Sequence, residues 1–446
     1  MTYEERTRAE VEALLNKATK KSKEEHEEIV LDPSQKSAIG KIKEWFTKND
    51  SLIFVLSGRA GTGKSTIINK VIEELRLRED EVRYLAPTGK AVSVLRSKGI
   101  RKAMTIHSFI YRFDGSSYKN QKVLKEKSMI LKMCDEGNYE EAVSVLDNIE
   151  ESKRGKKKPK LYFSSRKVRG LNNLKLIVVD ESSMINDDEV EDITNLGIKT
   201  IFVGDNAQLP PVEGVNSIMD EPDAEILKIH RQTEGSGIIK LANLIMDYPD
   251  MKFLEDTSFG HDVEAITRQE LSYRLYELIS SRQWQFLTVT NREKDSINNS
   301  SRHVLGYSDS KFPKVGELLL AKGGHKDTGI VNGIQGKVIE DFTESEIEHD
   351  SIRYWVIVGR IQLMDGTGAK VPVIMRRNNF LSGSLYEFED GESLWEYGYA
   401  MTVHKSQGSQ WPNVVYIFDD CLNHLNKLNY TAVTRASKRL IFVTKA

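Results

Sequence analysis

The stretch FVLSGRAGTGKSTIINKVIEEL, residues 54–75, passes from an apolar run through a glycine-rich turn into a helical pattern. The apolar run predicts a buried strand. Ile68, Val71, Ile72 and Leu75 then fall at i, i+3, i+4 and i+7, one face of a helix. Between them Gly58, Ala60, Gly61, Thr62, Gly63, Lys64, Ser65 and Thr66 belong to a G-x4-G-K-S turn. Glycines let backbone N–H groups converge on a phosphate, and the helix N-terminus adds a favourable dipole. Strand, turn and helix together predict a nucleotide-phosphate loop, with Lys64 reaching the β/γ-phosphates and the Ser65 hydroxyl placed for Mg²⁺.

Such a loop needs a carboxylate pair at the tip of a neighbouring strand, and IVVDESSM (177–184) supplies one. Asp180 is the candidate Mg²⁺ ligand and Glu181 the candidate group polarising the attacking water. VGDNAQLPPV (203–212) ends another strand, with Gln208 as candidate γ-phosphate sensor. LKIHRQTEGSGI (227–238) offers Arg231, and LNYTAVTRASKRL (428–440) offers Arg435, each a candidate for stabilising transition-state charge. A lone arginine also serves as a surface ion pair, so these two assignments lean on their neighbours.

Continuous apolar runs recur at 52–58, 82–88, 174–181, 200–205, 284–291, 414–420 and 440–444, alternating with helical stretches. That pattern predicts an α/β fold with parallel sheets covered on both faces, whose chemistry sits at the strand carboxyl ends. Two segments break it. Residues 111–172 show no α/β alternation, and 316–396 carry short alternating strands such as RYWVIVGRIQL (353–363) and KVPVIMR (370–376), the pattern of a small β module.

With 446 residues the chain is long enough for about three domains. Lys+Arg number 64 against 66 Asp+Glu, a formal net charge of −2, so bulk charge does not announce a nucleic-acid binder. Cys134 and Cys421 lie outside any zinc or CxxC spacing, which fits a reducing cytoplasm. The charged N-terminus (1–30) has no apolar core of a signal peptide, and the apolar runs are strand-sized, so no membrane association is expected.

Taken in order, these motifs resemble those of superfamily 1 helicases, most closely the RecD-like branch that includes the phage Dda helicases. LDPSQKSAI (31–39) resembles that family's adenine-reading motif, with Gln35 as reader. LAPTGKAVSVL (85–95) and TIHSFI (105–110) resemble its two strand-binding motifs, and YAMTVHKSQGSQWPNVVY (399–416) its motif touching nucleotide and strand. The resemblance implies two RecA-like domains with ATP and Mg²⁺ between them, at 31–110 with 173–265 and at 266–315 with 397–446. It further implies an SH3-like module at 316–396. Gly408 would join the nucleotide residues, while Thr88, Lys90, Thr105, His107, Thr402, His404 and Gln407 would lie along single-stranded DNA. Thr88 could equally cap the following helix, and His107 could be a buried, satisfied histidine. The expected activity is ATP-driven unwinding of tailed or forked duplex DNA by a monomer in a bacterial or phage-infected cytoplasm, moving 5′→3′. An RNA helicase, or an NTP-dependent switch without movement, are the alternatives.

The family carries a β-hairpin pin where this chain has 111–172. Here 123–152 reads as two helices joined at Gly137-Asn138, a candidate docking surface for the motor itself or for a partner protein. KRGKKKPKLYFSSRKVRG (153–170) then holds nine basic residues and no acidic ones, interrupted by Tyr162 and Phe163. Such runs are commonly solvated loops; aromatics within them can also stack on unpaired bases. Tyr162 and Phe163 are therefore candidate contacts at the strand/duplex junction.

Overall fold

The computed structural model describes residues 31–48, 51–113, 161–163, 171–211, 213–226, 236–248, 259–322, 330, 332–349, 352–364, 367–376, 395–418 and 425–444. The charged segment 1–30, the helices expected within 123–152 and Arg231 lie outside them.

The first sheet uses β1 (Ile53–Gly58), β2 (Val82–Ala86) and β3 (Met104–Thr105). β4 (Tyr111–Phe113) and β5 (Leu161–Phe163) pair antiparallel as a separate two-stranded ribbon, with Arg112 opposite Tyr162. β6 (Leu176–Val179), β7 (Lys199–Gly204) and β8 (Ala224–Ile226) return to the first sheet. Its order is β3-β2-β6-β7-β1-β8, every pairing parallel. The β1 and β7 interiors are buried throughout, as continuous apolar strands covered on both faces must be. The Pro33–Thr47 helix covers one face through Ala38, Ile39, Ile42 and Trp45, whose ring meets Phe54 at 5.5 Å.

The second sheet begins with β9 (Val263–Thr267) and β10 (Gln285–Thr288). After them comes an antiparallel module: β11 (Leu318–Ala321), β12 (Gln335–His349), β13 (Ile352–Leu363), β14 (Lys370–Arg376) and β15 (Trp395–Tyr397), ordered β14-β13-β12-β11-β15. It has its own core of Ile334, Val338, Ile357, Ile361, Val373 and Trp395. β16 (Ala400–Thr402), β17 (Trp411–Ile417) and β18 (Ala436–Thr444) complete the second sheet in the order β16-β10-β17-β18-β9, again all parallel. No helix among the described residues is long and apolar enough to cross a membrane.

One boundary moves. The sequence assigns 173–265 to the first domain, yet the Gly237–Asp247 helix packs on the second. Its Ile238, Leu241, Ala242 and Ile245 share a core with Leu287, Tyr416, Leu428 and Tyr430. An amphipathic helix between two sheets carries no local signal for which sheet it will cover. Here the apolar face of Leu425–Val433 decides it.

Candidate nucleotide site

The carboxyl ends of β1, β6 and β7 open onto a cleft of about 560 Å³, closed on its far side by the second domain. Ala60 through Thr66 line it from the turn after β1. Gly63 sits at φ +84°, a left-handed conformation that glycine adopts without a Cβ penalty, and so starts the Lys64–Glu74 helix with its N–H groups facing the cleft. Gly58 lies one step back, as the last residue of β1. The Lys64 ammonium lines the cleft while donating to two carbonyls of its own loop, Gly58 O and, at 3.1 Å, Arg59 O.

Gln35 reaches the loop from outside. It closes a capping box with Asp32, its Oε1 accepting from Asp32 N–H at 3.2 Å, while its Nε2 donates to Thr62 O at 3.0 Å. Both ends of its amide are thus engaged within the protein.

Asp180 and Glu181 line the same cleft just beyond β6. Glu181 has φ 55° and ψ 40°, a left-handed backbone that costs a non-glycine residue roughly 1–2 kcal/mol. Asn216 pins the following turn by donating to Ser182 O at 2.6 Å and Ile185 O at 2.7 Å. Burial, and after it the Asp180 carboxylate, hold the Glu181 carboxyl above its ordinary range; Arg435 and Lys64 pull the other way. A carboxylate raised in this way is a stronger base than a free one. Beside it, Gln208 turns its Nε2 to Asp205 at 3.5 Å, whereas its buried Oε1 has no hydrogen-bond partner among the described residues. An orphaned acceptor inside a polar cleft is expensive to leave unmet, so a water or phosphate-bound proton fits there. Ser65 and Asp180 present hard oxygen donors to the same space, the donor set that Mg²⁺ takes.

From the second domain come Gly408, Ser409, Gln410, Thr434 and Arg435. Arg435 is 5% exposed, its Nε on Thr431 O at 3.0 Å and its Nη1 on Ser409 O at 3.1 Å. Gly408, at φ +69°, lies against Thr88 and Ala91, where a Cβ would meet Thr88 Oγ1 at 3.3 Å. Further contacts hold the domains together. Tyr430 Oη donates to Asp205 Oδ2 at 2.8 Å and accepts from Ala60 N–H at 2.9 Å. Thr431 Oγ1 accepts from Leu209 N–H at 3.0 Å, and Gln407 Nε2 donates to Leu209 O at 3.4 Å. Arg59 donates to Asn243 Oδ1 on the Gly237–Asp247 helix. Ser409, Tyr430 and Thr431 escaped the sequence reading, although Tyr430 and Thr431 lie inside the stretch examined for Arg435.

The candidate strand residues fall in several places. Thr88 caps the Gly89–Ser97 helix, accepting from Ala91 N–H at 3.1 Å, and Thr105 accepts from Ser108 N–H at 3.2 Å. His107 is half exposed, Nδ1 3.6 Å from Glu189 Oε1, so it is not a buried histidine. Thr402 precedes the Val403–Ser406 turn, followed by exposed His404 and buried Gln407. Lys90 points into the domain interface, its Nζ 4.6 Å from the centroid of the Trp411 ring. Tyr162 and Phe163 occupy β5, paired with β4; their side chains are not among those described.

Comparison with known proteins agrees with this architecture. An AAA domain family model matches residues 30–263, just over half of the 446, and a UvrD-like helicase C-terminal domain model matches 397–443. The ATP-dependent RecD2 DNA helicase of Deinococcus radiodurans is 24% identical over 404 residues, 87% of this chain and 46% of that protein. An uncharacterized Methanocaldococcus jannaschii protein is 23% identical over 483 residues, 88% of this chain and 36% of its own length. The chain thus spans less than half of these curated relatives. A Bacteroides Pif1 helicase solved with ADP-AlF3 and single-stranded DNA shares the fold at 18% identity, with a TM-score of 0.50 over 93% of this chain and 92% of that one. A second Pif1 structure, from a study of unwinding at forked duplex DNA by two coordinating helicases, gives 0.50 at 17% identity and the same coverage. The chain belongs to the AAA domain family.

Proposed function

We propose that this chain is an ATP-driven DNA helicase that moves along single-stranded DNA in the 5′→3′ direction and opens duplex ahead of it. One observation carries the reading: a phosphate loop on one parallel sheet and a buried arginine on another line a single cleft. A site confined to one domain needs no such second wall.

In this reading the loop amides and Lys64 bind the β- and γ-phosphates of ATP, and Gln208 Oε1 holds the attacking water. Glu181 takes that water's proton. Arg435 meets the charge developing on the transferred phosphoryl group, which it can do only while the domains are closed. Mg²⁺ held by Ser65 and Asp180 would neutralise phosphate charge. Loss of the γ-phosphate removes the anion between Lys64 and Arg435, so the cleft opens. Strand grips that tighten in alternation on the two domains turn that cycle into steps. Exposed His107 and His404, on different domains, are candidates for those grips. The antiparallel module at 316–396 is the candidate SH3-like accessory domain. The β4–β5 ribbon supports the pin reading, because it places Tyr162 and Phe163 on a strand rather than a loose basic loop. Replacing both with alanine is expected to slow unwinding severalfold while strand-stimulated ATP hydrolysis stays within twofold; equal loss of both rates would remove the pin.

The deciding measurement compares unwinding of matched duplexes carrying a 5′ or a 3′ single-stranded tail. Opening of only the 5′-tailed duplex is expected. Opening of only the 3′-tailed one would overturn the direction. ATP hydrolysis with neither opened would turn the reading toward RNA or toward a switch without movement.

A further inference from the structure

The hydroxyl of Tyr430 makes both of its hydrogen bonds across the domain boundary. Its proton goes to Asp205 Oδ2 at 2.8 Å, and its oxygen receives the N–H of Ala60 at 2.9 Å. The ring is 1% exposed and packs in the shared core with Ala207 and Leu209. A phenylalanine would fill that core equally well, so packing alone gives no reason for an oxygen there. A buried hydroxyl left unpaired is costly, and this one is satisfied only while the domains stay docked.

Tyr430 stands in the Leu425–Val433 helix, one turn and a residue before Arg435. Arg435 N–H donates to Ala432 O at 3.1 Å, and its Nε donates to Thr431 O at 3.0 Å. The guanidinium is thus built onto the end of the segment that Tyr430 anchors. What Tyr430 grips is equally telling: Ala60 belongs to the phosphate loop, and Asp205 lies on the loop that carries Gln208. A single hydroxyl therefore touches two of the three first-domain loops of the nucleotide site from the segment bearing the second domain's arginine.

We propose that Tyr430 is a positioning residue that holds Arg435 in register with the phosphate loop, so that phosphoryl-transfer chemistry proceeds only when this hydroxyl is docked. The inference rests on the nucleotide-hydrolysing reading of the cleft. Burial, reinforced by the Asp205 carboxylate, keeps the phenol protonated well above its ordinary range, so the donor is present at every working pH. Tyr430 thus holds one amide of the loop whose residues Ala60 through Thr66 line the cleft.

The test is Tyr430→Phe, alone and combined with Arg435→Ala. Losing a buried hydrogen bond to a carboxylate is expected to lower kcat for strand-stimulated ATP hydrolysis about tenfold, with KM within about twofold. In the Arg435→Ala background the same change should give no further loss, because residues acting through one another do not multiply. An unchanged kcat, or losses that multiply, would overturn the proposal. A second measurement does not depend on hydrolysis. Amide hydrogen exchange in the 58–63 peptide of nucleotide-free protein should quicken in Tyr430→Phe, and unchanged exchange would also overturn it. Failure of the nucleotide reading has a different signature, a wild-type protein that neither binds nor hydrolyses ATP.

Discussion

The two parallel sheets face one cleft with different styles of construction. On the first, Lys64 and Ser65 follow β1 by a handful of residues, and Asp180 and Glu181 follow β6 directly, so chain connectivity fixes them. On the second, Arg435 is held by hydrogen bonds to Thr431 and Ser409, and its distance from the phosphate loop depends on Tyr430, Thr431 and Gln407 docking on the first domain. Substituting Lys64 or Glu181 should therefore change chemistry and leave domain docking intact. A substitution on the second sheet should change chemistry and docking together.

Lys64→Ala is the sharpest probe of the first half of that comparison. It is expected to lower ATP hydrolysis by about 10²–10³ or more, the scale for removing a preorganised charge-stabilising group, and to abolish unwinding. Single-strand affinity by fluorescence anisotropy should stay within severalfold; loss of strand binding would show that the first sheet's site is also a docking element. Arg435→Lys tests the second half. It keeps the charge but loses the fork that meets Thr431 and Ser409, and about 10²-fold loss of kcat is expected together with a lowered thermal midpoint. A purely kinetic defect would mean that the two sheets are built alike.

Glu181→Gly separates chemistry from backbone strain. Hydrolysis should fall about 10²–10⁴-fold with the proton acceptor gone, while the first domain gains about 1 kcal/mol against denaturant from relief of the left-handed backbone. Unchanged or reduced stability would show that the turn is held by more than Asn216. The last expected effect, at Lys90, falls on stability rather than turnover. Burial first and the Arg435 charge second bring its ammonium down to about 7 from an ordinary 10.5. The unfolded chain therefore holds the extra proton between those values, so stability rises with pH from about 7 and levels off near 10.5. The Trp411 face favours the charged form and narrows this window from below. Lys90→Met should flatten the rise in thermal midpoint over that range; a slope equal to wild type would place the titration elsewhere.

The interior strands were legible because burial on both faces leaves a continuous apolar run, as in VVYIFDD. β3 and β8 were not. Met104–Thr105 and Ala224–Ile226 are too short to show a period, and their neighbours in the sheet create them. The phosphate loop was legible for the reason its chemistry is local: turn, charge and helix start occupy eight consecutive residues. Tyr430 was not, since its partner Ala60 is 370 residues away and nothing in LNYTAVTRA distinguishes a core aromatic from a tether. Thr88 and Thr105 show the converse. The motif resemblance offers them as strand contacts, and in the structure their hydroxyls serve first as helix caps.

Gln35 ends the Asp32 capping box with one face of its amide and holds Thr62 with the other. Substitution affects its two duties differently. Glutamate would keep the acceptor toward Asp32 N–H but set a second carbonyl-like oxygen against Thr62 O, and methionine would lose both bonds. Methionine would therefore loosen both the start of the Pro33–Thr47 helix and its tie to the loop, and glutamate the tie alone. Were Gln35 the base reader that the motif resemblance implies, its substitution would disturb the fold as well, and a designer seeking a different nucleotide would work from the opposite wall.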